Sequence, residues 1–318
     1  MNDEAILTQL STVYQVLQTE LNDRITKTHY RYVLFDRLGV VSELSPLYND
    51  ALQDTVAPEL LAVIKRPELA HNLDSCPLLV CLAEPGEPLN ATLLLASLAQ
   101  IKHDHLTRKH YVCGFITSPL PPEALAGELL ESCLRAGRAL GSAFLPFYEP
   151  FTLDVLYHSY DAPASHLGTL LPADTRYCFV DSDIEAHVFH AMSYLDESDF
   201  TLRFVNQTLR YHLLNQMTLY GLVVTWHDLC EAQDKPLVPH LLSTIIGYFY
   251  DSQATQLVNP RDRRAYVLFS LQYGQLTASK RLSYCIDEVI NHEDKQGLLG
   301  ELLSQERQAL EALTNNQQ

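Results

Sequence analysis

The chain has 318 residues, of which 47% are hydrophobic and 19% charged, and its formal net charge is −17. That balance is too apolar for a disordered chain, and the length suits two domains of about 150 residues each. An acidic surface repels phosphate backbones, which argues against DNA or RNA as a partner.

Ile6, Leu10, Val13, Leu17 and Leu21 recur at three- and four-residue steps and predict a leading helix over 3–27. A β-rich run, Arg31 to Asp36, predicts the first strand. Ser45-Pro46 and Asn49-Asp50 mark a loop, and 57–65 reads as a short helix stopped by Pro67. A second strand covers Pro77 to Leu82 and ends at the Glu84-Pro85-Gly86 break. Asn90 opens a helix over 90–108 as its N-cap. Strand three, Tyr111 to Ile116, stops at Ser118-Pro119, and Pro121-Pro122 lead into a helix over 123–139. Ser142 to Tyr148 reads as a fourth strand, with Pro146 marking an edge or a bulge. Thr152 caps a short helix over 153–160, and Arg176 to Val180 is a fifth strand.

Beyond Asp181 the pattern is helical throughout. Helices are expected over 183–195, 200–220, 225–233, from Pro236 and Pro239 to Tyr250, 261–273 behind the Asn259-Pro260 cap, 277–291 and 295–313. The reading is an α/β N-terminal lobe over 1–180, a short sheet with flanking helices, followed by an all-α lobe over 181–318. Net charges of −9 and −8 in the two lobes show that the acidity is not confined to a tail.

Only 12 glycines are present, and no phosphate loop, dinucleotide fingerprint, nucleophile elbow or HExxH zinc motif occurs. The enzymes most easily recognised from sequence are thereby removed. Seven cysteines without a CxxC, no signal-peptide pattern and no apolar run of about 18 residues predict a cytoplasmic protein with free thiols and no membrane association. No cofactor or metal is expected.

Several groups remain as candidate chemistry. His187 and His190 stand at i, i+3 on the expected helix, a spacing that suits a shared metal. His103, His105 and His110 cluster before the third strand, but an i, i+2 pair on a helix points apart. Trp226-His227-Asp228 contains a candidate His–Asp dyad. An enzyme of the metal-dependent hydrolase kind, around His187/His190 or His227/Asp228, is the alternative to a binding protein. Arg261, Arg263 and Arg264 fall in a helical first turn, where the macrodipole disfavours cations, so a carboxylate of this chain or an acidic partner must offset them. Phe147, Tyr148, Glu149 and Phe151 surround a proline corner and are candidate anchors for a partner. Tyr220 and Trp226 are further candidates in the helical lobe.

Three landmarks occur in a fixed order. These are a strand ending in Asp36, a strand ending in Ser118-Pro119 before a proline-started helix, and Tyr148-Glu149-Pro150 before a Leu-rich helix. In this order and spacing, the chain over about 31–180 resembles the adaptor/chaperone family of bacterial type VI secretion. That family often carries arginines at places held here by Thr117, Pro146 and Phe151. The resemblance implies a non-enzymatic protein that binds a secreted effector protein, near the effector's N-terminus, and delivers it to a VgrG-type spike protein. It also implies that the helical lobe sets effector choice.

Overall fold

The computed structural model describes residues 3–23, 28–106, 109–193 and 195–315. The chain divides into two compact units, Met1–Gln216 and Met217–Gln318. The first is an α/β unit and the second is helical. The division falls beyond the expected 181–183 boundary because the sheet gains a sixth strand after Asp181.

Unit 1 is built on one antiparallel sheet. Its strands are β1 (Tyr30–Phe35), β2 (Leu61–Val63), β3 (Leu78–Ala83), β4 (Val112–Ser118), β5 (Arg176–Val180) and β6 (Ala186–His190), in the order β2-β3-β1-β4-β5-β6. The helices are α1 (Asp3–Leu21), α2 (Asn49–Thr55), α3 (Ala91–Asp104), α4 (Pro122–Leu140), α5 (Pro150–Tyr157), α6 (Pro163–Leu167), α7 (Glu197–Phe204) and α8 (Gln207–Leu214).

The central strands are apolar at consecutive positions because both faces of the sheet are covered. Val33, Phe35, Val80 and Leu82 face one way, onto Leu10, Val13 and Leu17 of α1 and Leu94, Leu98 and Ile101 of α3. Tyr32, Leu34, Leu79 and Tyr177 face the other, onto Leu125, Leu129 and Cys133 of α4 and Leu153 and Leu156 of α5. This two-sided burial supplies most of the folding drive, at about 25 cal/mol per Å² of apolar surface.

Four expectations need correction. Ser142 to Tyr148 is not a strand. It is a strap that returns along α4, with the Ser142 N–H on the Gly137 carbonyl (2.9 Å) and the Leu145 N–H on the Cys133 carbonyl (3.0 Å). A Cβ on Gly137 would stand 2.7 Å from the Phe144 nitrogen, so only glycine lets the strap lie this close. Residues 57–65 are a 3₁₀ turn, Pro58–Leu60, and then β2, not a helix. Among the described residues of 183–195 none is helical. Asp181 Oδ1 accepts the N–H groups of Asp183 (2.9 Å) and Glu185 (2.8 Å), with Ile184 left-handed at φ 59°, and this turn sends the chain back as β6. The helix expected over 200–220 is broken twice. Asn206 caps α8 by accepting the Leu209 N–H at 2.6 Å, and Asn215 stands at its C-cap. Met217 lies beyond the second break and is exposed.

Unit 2 takes up α9 (Gln216–Ala232) from Met217 onward, then α10 (Leu241–Ala254), α11 (Pro260–Tyr273), α12 (Lys280–Asn291), α13 (Leu299–Gln305) and α14 (Arg307–Asn315). The short helix expected over 225–233 is the second half of α9, which ends at Ala232. Asn259 caps α11 as its sequence signature predicts, with Oδ1 accepting the Arg261 N–H at 2.9 Å. A core of Tyr266, Leu282, Ile286, Val289, Leu299 and Leu303 joins α11, α12 and α13. No helix among the described residues is long and apolar enough to cross a membrane.

Candidate functional site

The landmark acids of the sequence meet at one end of the sheet. Asp36 follows β1 and is fully buried, and its Oδ1 accepts the Leu38 N–H at 3.0 Å. Glu149 stands at the N-cap position of α5, 113 residues further on. Lys109, just before β4, lies between them, with Nζ 2.7 Å from Asp36 Oδ2 and 3.2 Å from Glu149 Oε1. Arg66 donates to Glu149 Oε1 at 2.8 Å and lies 2.7 Å from Glu68 Oε1. Its guanidinium also sits over the Phe144 ring, 5.5 Å from the centroid. Burial works against the Lys109 charge, but the hydrogen bond to Asp36 and the charge of Glu149 outweigh it and raise the pKa.

The geometry around this network comes from a bulge. β1 pairs Leu34 with Gly114 but Phe35 with Val112, so Cys113 is the extra residue of β4. Gly114 makes room for Tyr177, whose ring carbon Cε1 would meet a Cβ there at 2.5 Å. The Ser118-Pro119 landmark has a bracing role. Ser118 Oγ is 2.9 Å from Thr175 Oγ1 and accepts the Leu120 N–H at 3.3 Å, which ties the end of β4 to the start of β5.

The candidate anchors are placed differently from one another. Phe147 and Tyr148 are fully buried in the core, so they present no surface to a partner. Burial follows because the strap turns both rings under α5, with Phe147 6.4 Å from the Tyr177 ring. Glu149 and Phe151 are partly exposed. In unit 2, Trp226 is buried, Tyr220 is half-buried, and Arg261 and Arg264 are exposed. Among the first-turn cations of α11, Arg263 Nε donates to the Leu257 carbonyl at 2.5 Å and Arg264 Nη2 lies 3.5 Å from Thr225 Oγ1, while the buried Asp262 carboxylate of the same turn accepts the Gly297 and Leu299 N–H groups.

The histidine candidates are redistributed by the hairpin. His187 and His190 lie on β6, where a three-residue step points side chains to opposite faces, so they cannot share a metal. His187 instead meets Asp181, Nε2 to Oδ2 at 2.5 Å, and packs 4.3 Å from the Tyr157 ring. Asp181, Glu185 and His187 bring ligand atoms within 4.8 Å of one another, and so do His227, Asp228 and Glu231 on α9. In the first set the Asp181 carboxylate is already engaged by the turn N–H groups and His187, and Glu185 is exposed; in the second Asp228 and Glu231 are exposed. All seven cysteines are buried and free, and burial pushes the Cys81 thiol up to about 11 and Cys178 to about 12, which keeps these two protonated at neutral pH.

A second polar cluster joins α5 to α8. His158 Nε2 is 3.3 Å from Asp154 Oδ1, and Ser159 Oγ is 2.8 Å from His212 Nδ1. Burial, and then the charge of His158, push His212 down to about 4. Burial also opposes the His158 charge, but Asp154, Asp181 and Asp183 outweigh it and raise that pKa. The two histidines act on stability with opposite signs. His212 stays neutral when folded, so its contribution is complete above about pH 6.5 and is lost as pH falls towards 4. The His158 contribution is complete below about 6.5 and is lost as pH rises through its raised value. An NMR titration is expected to show His158 gaining its proton at higher pH than His212, with His212 protonating near pH 4.

Sequence reasoning missed Arg66, Lys109 and Asp262. Nothing in their local sequence signals a role, except that Lys109 directly precedes a strand. No family model matches the chain, and no curated protein or solved structure matches it either. The fold and site define a protein of an α/β unit and a helical unit, the first of which carries a partly exposed charged network.

Proposed function

We propose that this chain is an adaptor/chaperone of type VI secretion, which binds an effector in the cytoplasm, keeps it soluble and loads it onto a VgrG-type spike protein. The observation that carries this reading is the meeting of Asp36 and Glu149 on Lys109. Short motifs that occurred together by chance would have no reason to converge. Here two landmark acids share one cation and the third landmark braces the neighbouring strands. The network ties the end of β1 to the start of α5 as a structural keystone, which fits a scaffold that presents surface to another protein. The buried thiols agree with that.

The test is co-expression with the products of neighbouring genes. The reading expects one product to become soluble only in the presence of this chain and to co-purify with it. An interface of about 1,600 Å² or more is expected, since a chaperone covers apolar effector surface. Failure to form a complex with any of them would overturn the reading.

A further inference from the structure

The sheet of unit 1 has two edges, and they are finished differently. β2 is three residues long and lies between the 3₁₀ turns Pro58–Leu60 and Pro67–Leu69, and the Leu61 N–H is already used on the Pro58 carbonyl. β6 is five residues long, Ala-His-Val-Phe-His, and pairs with β5 in unbroken register. It has no lysine, proline or bulge, the devices by which natural edges resist an added strand.

The register identifies which backbone groups are free. The Asp181 N–H bonds the Glu185 carbonyl (3.0 Å), and the Ala191 N–H bonds the Thr175 carbonyl (2.8 Å). Hydrogen-bonded pairs in an antiparallel ladder recur at every second residue, so His187 and Phe189 bond to β5. Ala186 and Val188 turn their N–H and C=O outward, where no described group meets them. The far end of this edge is closed. The Gly168 carbonyl takes the Met192 N–H at 2.9 Å, and a Cβ on Gly168 would stand 2.2 Å from the His190 oxygen. The open stretch therefore offers two donors and two acceptors beside the partly exposed Ala186, His187 and Val188.

The surroundings specify the charge of what binds. No lysine or arginine occurs between Arg176 and Arg203, whereas Asp183 and Glu185 stand on the turn at the open end, around the buried Asp181 whose carboxylate holds the turn and meets His187. Arg176 itself is held by Glu20 (3.3 Å) and Asp23 (3.2 Å). A second copy of this chain would bring the same acidic turn and a net charge of −17, and is disfavoured.

We infer that the β6 edge receives a short, extended, lysine- or arginine-bearing segment of a partner protein as a seventh strand. Main-chain bonds to Ala186 and Val188 hold it, and the acidic turn selects its charge. The inference rests on the adaptor reading for its biological partner but is tested without one.

The probe is a synthetic nine-residue peptide alternating lysine and valine. Its controls are the glutamate counterpart and the lysine peptide with a central proline. On the intact chain, the lysine peptide is expected to slow amide exchange at Ala186 and Val188 about tenfold or more, and to leave the already bonded His187 and Phe189 N–H groups unchanged. Val188→Pro deletes an outward N–H without touching the β5 ladder and is expected to weaken binding about tenfold, as is Glu185→Lys. Equal binding of the proline-interrupted peptide, or no selective protection at Ala186 and Val188, would overturn the inference. The exchange result stands on the unmodified chain if Val188→Pro fails to fold. Failure here leaves the co-expression test of the adaptor reading untouched, and self-association through β6 would appear as a dimer in sedimentation and would also contradict it.

Discussion

Lys109→Met is expected to lower the unfolding free energy of unit 1 by about 3 kcal/mol. The substitution leaves the Asp36 carboxylate, which has no exposed surface, without the cation 2.7 Å away. Removing one partner of a buried ion pair costs about 3–5 kcal/mol, because the remaining charge stays desolvated. The lower end applies because the Lys109 side chain is 39% exposed and water compensates in part. Adding Asp36→Asn to Lys109→Met is expected to recover part of the loss, since the stranded charge is then gone. Urea denaturation of the two single variants and the double variant measures this, and the coupling is the signature. Arg307→Ala on α14, whose partner Glu311 is one helical turn away on the surface, is expected to change little in the same experiment.

Asp262→Ala is expected to cost unit 2 about 3–4 kcal/mol. The Asp262 side chain is buried, Oδ2 accepts the Gly297 N–H at 2.7 Å, and Oδ1 accepts the Leu299 N–H at 2.9 Å. Leu299 is the first residue of α13, so a residue of α11 caps a helix that begins 37 positions later. Hydrogen bonds to a charged group contribute about 1.5–3 kcal/mol each, and here two donors would lose their acceptor at once. Asp262→Asn keeps one acceptor oxygen and is expected to lose about half as much. A cooperative thermal transition of unit 2 that shifts in the order wild type, Asn, Ala is the expected result.

Much of the fold was written locally. Asn259-Pro260 names a helix start by the chemistry of two adjacent residues, and the cap bond is found there. The apolar runs of β1, β3 and β4 identify buried strands because neighbours on both faces are covered. The failures have a common physical cause, which is control by distant or side-chain contacts. His187 and His190 match a helical step as well as a strand, and the Asp181 side chain decides by closing a turn. Ser142 to Tyr148 has strand-forming residues, but Gly137 draws the segment against α4 instead. The charged network could not be read at all. Arg66, Lys109 and Glu149 lie far apart in sequence, and only the bulge in β4 and the turn into α5 bring them together. Asp36 and Glu149 stood out by their place in the ordered landmarks, although the landmark aromatics proved to be core.

The central claim, that this chain holds another protein, is tested most directly by the mass of its complex. Each neighbouring gene product is co-expressed with this chain, and the purified material is measured by size-exclusion chromatography with light scattering. The account predicts a stable species whose mass equals this chain plus one effector, persisting at moderate salt. A chain that elutes alone beside every one of those products would contradict it.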